Sequence, residues 1–187
     1  MKKILVFIVI LMMSYTVNAQ RIVSDVTEGN TRTVTCNYEP ISEFVSVSLS
    51  AKIEDNNLFY YYLNFHILDK TQDYQISDNY NEKLTVTTVS GSNVTITNSN
   101  GVKVEGNNKK YKVNNELVKL YNISVSFLVT DYLDQIIEEG ISSITLQLEP
   151  YAYLIKNTYD EANLINTTRD ITKILDSMRY ILDKKLQ

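Results

Sequence analysis

The sequence predicts an α+β, mainly β fold: an antiparallel sheet or sandwich of about seven or eight strands, with a short crossing helix and a C-terminal amphipathic helix. Three observations carry this reading. Apolar residues recur at every second position through much of 31–149, the period of a half-buried strand. From Thr158 onward the repeat becomes helical. With 187 residues but only 5 Gly, 2 Pro and one Cys, the chain suits one packed domain and neither a collagenous nor a disulfide-stapled one.

Each element follows from its own pattern. The segment 20–30 is polar and orders only if it pairs with a sheet edge. Thr33-Val34-Thr35-Cys36-Asn37-Tyr38 alternates and is rich in β-branched residues, so it reads as a strand. In 45–53 every odd position is apolar and every even one polar, and Glu54-Asp55-Asn56-Asn57 turns the chain. The antiparallel partner follows, with Phe59, Tyr61, Leu63, Phe65 and Ile67 on one face and Tyr60, Tyr62, Asn64 and His66 on the other. Residues 69–82 read as a long polar loop with at most a short strand near 74–76. Residues 84–89 and 94–97 flank Ser90-Gly91-Ser92-Asn93, a hairpin turn. A polar connection carries Gly101, Gly106 and the Asn107-Asn108-Lys109-Lys110 run, and 117–129 resumes strand alternation.

Thr130 is the expected N-cap of a short helix over 131–139, with Asp131 and Asp134 in its first turn and Gly140 at the C′ position. Ile144, Leu146 and Leu148 restore the strand period until Pro150 ends it. Thr158-Tyr159-Asp160-Glu161 matches a capping box for a helical segment over 158–185. Leu164, Ile171 and Met178 repeat every seven residues, widened by Ile174, Leu175, Ile181 and Leu182, while Asn166-Thr167-Thr168 is able to divide the segment in two. A stripe this broad needs a cover. The sheet is the expected one, and a homo-oligomer through this C-terminal helix is the alternative.

Residues 1–19 read as a signal peptide. Lys2 and Lys3 precede an apolar run over 4–13, and Val17-Asn18-Ala19 places small or aliphatic residues at −3 and −1. A run of ten falls short of the roughly 20 residues that cross a bilayer, so no membrane span is expected in the mature form, 20–187. Export with a single thiol excludes an internal disulfide, and Cys36 is expected to be a buried hydrophobe.

Composition restricts the chemistry. Charges of 18 and 22 give −4, and removing Lys2 and Lys3 leaves 16 against 22, or −6. Without a basic cluster, nucleic acid is not an expected partner. The sequence holds no nucleophile elbow, phosphate-binding loop, dinucleotide fingerprint, HExxH or CxxC, so no cofactor is expected and no catalytic residue is assigned. One His and one Cys are too few for a zinc site. Asp69, Asp73, Asp78 and Glu82 are the acids a Ca²⁺ ion would draw on, but they lack EF-hand spacing and read more simply as a solvated loop. The unusual feature is 14 Tyr with no Trp. Tyr joins an apolar ring to a polar tip, which makes Tyr60, Tyr62, His66, Tyr74 and Tyr80 the candidate ligand-binding set. Ordinary sheet covering is the simpler reading of them, since Tyr favours strands.

The leader ending in Asn18-Ala19-Gln20, the Asn/Tyr/Ile/Lys bias and the alternating strands resemble uncharacterised exported β-rich proteins of Bacteroidetes. The resemblance covers leader and texture. It implies a periplasmic or secreted protein serving envelope assembly or nutrient capture, and it carries over no functional residue. The expectation is an exported, non-enzymatic binding or protein-interaction module of the bacterial envelope, with a protein or glycan ligand. The alternatives are a small envelope hydrolase using carboxylates and an oligomeric structural subunit. Mass spectrometry of the exported product is expected to find Gln20 at its N-terminus. Retention of residues 1–19 in the bilayer would overturn the leader assignment.

Overall fold

The structure is a computed structural model describing residues 21–54, 58–69, 82–97, 102–113, 116–148, 151–156 and 170–186. Alternating sequence becomes eleven strands among these residues: β1 (Ile22–Glu28), β2 (Thr31–Cys36), β3 (Glu39–Pro40), β4 (Val45–Glu54), β5 (Leu58–Asp69), β6 (Lys83–Thr88), β7 (Asn93–Thr97), β8 (Val102–Val113), β9 (Glu116–Leu128), β10 (Ile141–Leu148) and β11 (Tyr151–Lys156). Two helices complete the described chain, α1 (Leu133–Glu139) and α2 (Ile171–Leu186). The fold is mainly β with two helices, as the sequence pattern predicts.

Seven strands form the larger sheet, in the order β1-β2-β4-β5-β9-β8 with β3 also on β4, and four form the smaller, in the order β11-β10-β6-β7. Every pairing is antiparallel. The chain passes to the smaller sheet after β5, returns after β7, and crosses again through α1 after β9. One buried cluster joins them. It takes Val34, Val47, Leu49, Leu63, Phe65 and Phe127 from the larger sheet, Leu84, Val86, Ile144 and Leu146 from the smaller, and residues of both helices.

The strand count exceeds the expected seven or eight for physical reasons. Segment 102–113, expected as a polar connection, is a strand because β9 offers it a backbone ladder from Val102↔Val125 to Val113↔Glu116. The register shift between Gly106 and Lys110 absorbs the Asn-Lys run as an irregularity. Pro150 does interrupt the alternation, but the chain then folds back on β10 as β11, with Leu148 opposite Tyr151. β1 meets its condition for order by pairing with β2 at the sheet edge. The turn at 55–57, the suggested strand near 74–76 and the capping box at 158–161 lie outside the described residues.

The helix starts also differ from expectation. Helix α1 begins at Leu133, its N-cap is Tyr132 without a side-chain cap, and Thr130 has another task. The β5–β9 ladder runs out at Tyr62↔Leu128. Beyond it Val129 N–H donates to the Tyr61 carbonyl at 2.9 Å, and Tyr61 N–H donates to Thr130 Oγ1 at 2.9 Å. Satisfying buried backbone takes precedence over capping. Gly140 ends α1 as expected at φ 71, where an added Cβ would meet Val89 Cγ2 at 3.3 Å.

Helix α2 is capped by Asp170, whose Oδ1 accepts from Thr172 N–H at 3.1 Å. Its stripe of Ile171, Ile174, Leu175, Met178 and Leu182 is buried against β2 and β4, so the expected intramolecular cover is the one found. Polar contacts tie its rim. Arg179 pairs with Asp134 of α1, Tyr61 Oη donates to Asp183, and Lys185 Nζ lies 3.4 Å from Asp25 on β1. Burial, reinforced by the bond to Asp183, raises the Tyr61 phenol well above its ordinary range. Among the described residues no helix is long and apolar enough to cross a membrane.

Cys36 lies beneath α2, with Sγ 3.7 Å from the Met178 carbonyl oxygen, and burial pushes its thiol pKa up to about 12. Folded protein at pH 7.5 is expected to resist thiol reagents. Leu175→Ala, which opens a cavity in the same layer, is expected to lower urea stability by about 2–5 kcal/mol and to speed Cys36 labelling. Rapid labelling of the unaltered folded protein would contradict this packing.

Candidate functional site

Alternation gives the larger sheet two unlike faces. Odd positions of β4, β5 and β9 enter the core, and even positions form the opposite, outer face. Register arranges that outer face in lines across the strands. One line runs Val26–Thr33–Lys52–Tyr60 through β1, β2, β4 and β5. The next is Ser24–Thr35–Ser50–Tyr62–Leu128, followed by Ser48–Asn64–Ser126 and Pro40–Ser46–His66–Ser124.

The middle of this face is a closed polar ladder. Asn64 Nδ2 donates to Ser50 Oγ at 2.6 Å, Ser126 Oγ donates to Asn64 Oδ1 at 2.7 Å, and Thr35 Oγ1 donates to Ser50 Oγ at 3.2 Å. The side chains of β2, β4, β5 and β9 are thereby laced together. Ser50 and Asn64 are only 7% and 8% exposed, so the bonds answer a need, since a buried polar group without a partner is costly. Ser48 is fully buried and donates to the Cys36 carbonyl at 2.6 Å.

Two aromatic ends flank the ladder. Tyr60 and Tyr62 stand at one, both partly exposed, with Leu128 43% exposed beside Tyr62. His66 stands at the other, its ring edge-on to Tyr38 with centroids 5.7 Å apart. Six residue steps along β5 take the chain from Tyr60 to His66, a span of about 20 Å. The structure therefore brings Tyr60 and Tyr62 together and sets His66 apart with Tyr38. Tyr74 and Tyr80 lie outside the described residues.

The Tyr60 end adjoins an open, shallow groove of about 430 Å³ lined by Ser24, Val26, Glu28, Thr31, Thr33 and Lys52. Lys52 Nζ is 2.5 Å from Glu54, whose hydrogen bond raises the ammonium pKa. No sequence motif marks these residues. The alternation that sets Thr33 and Lys52 on one strand face is legible in the sequence, but only strand order brings Ser24 and Val26 of β1 into one groove with Lys52 of β4.

The acidic set does not form a site among the described residues. Asp73 and Asp78 lie outside them, and Asp69 ends β5 opposite Tyr121. Glu82, just before β6, is 3% exposed, and its Oε2 accepts no hydrogen bond among the described residues. No group of three or more His, Cys, Asp or Glu among the described residues is placed to hold a metal ion. Among the described residues the groove lining carries one carboxylate, Glu28, where glycoside hydrolysis uses two facing each other.

A second polar cluster is structural. Glu139, at the end of α1, accepts from Ser90 Oγ at 2.7 Å, Thr88 Oγ1 at 2.9 Å and Gln135 Nε2 at 2.8 Å. These bonds hold its carboxyl near pKa 2 and fasten the β6–β7 turn to α1.

Truncating the ladder's centre, Asn64→Ala, is expected to cost about 1–3 kcal/mol by urea titration, because it removes the acceptor of the Ser126 hydroxyl and one of the two donors to Ser50 Oγ. Thr95→Ala, on the exposed side of the smaller sheet, is expected to stay within about 0.5 kcal/mol. Equal effects would remove the ladder's structural role. No family model, curated protein or solved structure matches this chain, and its functional reading rests on its own residues.

Proposed function

We propose that the chain is an exported, non-enzymatic binding module of the bacterial cell envelope that recognises its ligand with the Tyr60/Tyr62 end of the larger sheet's outer face. The supporting observation is the register line Val26–Thr33–Lys52–Tyr60 beside the open groove. It gathers apolar, hydroxyl, ammonium and phenol groups on one rigid surface. Rigid, amphipathic aromatic side chains give contact area at small entropic cost. The ladder beneath holds neighbouring strands in fixed positions, so the surface does not have to order itself on binding.

The leader at 1–19 supports the envelope location, and the resemblance to exported Bacteroidetes proteins agrees with it. The hydrolase alternative draws less support, since the groove lining offers a single carboxylate. The oligomeric-subunit alternative needed an apolar helix stripe without a cover, and the stripe of α2 is covered within the chain.

A photo-crosslinking residue placed at Tyr62 in the full chain, expressed in cells, is expected to form an envelope adduct. The same residue at Thr95 is expected to form none. Equal yields at both positions, or no adduct at Tyr62, would remove the proposed surface.

A further inference from the structure

We infer that the ligand of this surface is a neutral carbohydrate chain, an assignment that rests on the binding reading above and narrows it. Three properties of the groove and its neighbours carry it.

The first is hydrogen-bond character. Ser24, Thr31 and Thr33 line the groove with hydroxyls, each able to donate and to accept. Sugar hydroxyls have the same dual capacity, so either partner adjusts to the other by rotating a proton. Val26 in the lining and the rings of Tyr60 and Tyr62 beyond Lys52 add apolar surface for the C–H faces of sugar rings.

The second is charge. Among the described residues the lining holds one cation, Lys52, and one anion, Glu28, and Lys52 is already paired with Glu54 at 2.5 Å. No surplus positive charge remains there to select a phosphate, sulfate or uronate. The chain as a whole carries −4, which disfavours the approach of a polyanion. Neutral ligands meet neither obstacle.

The third is the state of the backbone. An extended peptide recognised by strand addition needs a free sheet edge; β1 offers one at the rim of the groove, but a peptide added there would lie beside the sheet and away from Tyr60 and Tyr62, whereas β2, β4 and β5 beneath this surface are each paired on both sides. Recognition over them is left to side chains. The line from Val26 to Tyr60 crosses three strand spacings, about 14 Å, and the groove is open. These dimensions suit a chain lying across the strands better than a small molecule enclosed in a pocket.

The test uses mature protein, residues 20–187, in native gels containing dextran, mannan, xylan or a β-glucan, with alginate and heparin as acidic counterparts. Retardation by at least one neutral polysaccharide is expected, with none by the acidic pair. Titration calorimetry with an oligosaccharide of the retarding polymer is then expected to show about tenfold weaker binding for the Tyr60→Ala/Tyr62→Ala double variant. Tyr180→Ala, which removes a tyrosine 67% exposed on α2, is expected to bind as the parent does. Melting curves confirm that each variant folds, and the single variant Tyr62→Ala serves if the double alanine variant does not. Retardation by none of the neutral polymers, by the acidic ones alone, or equally in the tyrosine variants overturns the carbohydrate assignment. If Tyr62 crosslinks in cells to a protease-sensitive adduct while the gels show nothing, the binding surface stands and the carbohydrate does not. If neither signal appears, both fail.

Discussion

A mismatch of width organises this molecule. The larger sheet has seven strands and the smaller four, so one layer is too narrow to cover the other's apolar face. Val34, Cys36, Leu49 and Ala51 of β2 and β4 are nevertheless fully buried. Helix α2 provides the cover, laying Ile174, Leu175 and Met178 against those strands and reaching α1 through Arg179 and Asp134. Without a disulfide, the chain relies on this closure, since hydrophobic burial is the dominant favourable term left to it. The rim contacts of Asp183 with Tyr61 and of Lys185 with Asp25 locate the helix but are too exposed to hold it alone.

Closing one face leaves the other free for a different chemistry. Small hydroxyl residues alternate with the core residues along β4 and β9, and at the centre Asn64 has bonded donor and acceptor groups. Such a ladder gives little for its apolar content, yet it fixes neighbouring strands relative to one another through side chains as well as backbone. Its internal bonds tie up the polar groups at the middle of the face. Further hydroxyls and two partly exposed rings collect toward the β1–β2–β4 groove and the Tyr60/Tyr62 end.

Local chemistry at the connections obeys the same accounting. Thr130 looks like a helix cap, but its hydroxyl is needed where the β5–β9 ladder ends, and α1 starts two residues later than its acidic first turn suggests. Gly140, by contrast, has a positive φ and a neighbour 3.3 Å from where a Cβ would stand, so both backbone and packing call for glycine. Asp25 is held near pKa 2 chiefly by Arg32 and further by Lys185, tying the edge strand to the last turn of α2.

Reading residues in order was enough to assign the mainly β class, the faces of β4 and β5, the β6–β7 turn, the burial of Cys36 and the apolar stripe of α2, because each depends on a period of two or 3.6 within a single segment. It was also enough to put Tyr60, Tyr62 and His66 on one strand face. Strand order beyond the β4–β5 and β6–β7 neighbours was out of its reach. β8 is rich in Asn and Lys and becomes a strand only because β9 pairs with it, and β11 forms only because β10 is there to receive it. Tertiary structure likewise decided that His66 stands far from Tyr60 and beside Tyr38, and that Ser24, Thr33 and Lys52 share one groove. Those relations join residues from different strands, and pairing between strands leaves no trace in the periodicity of either one.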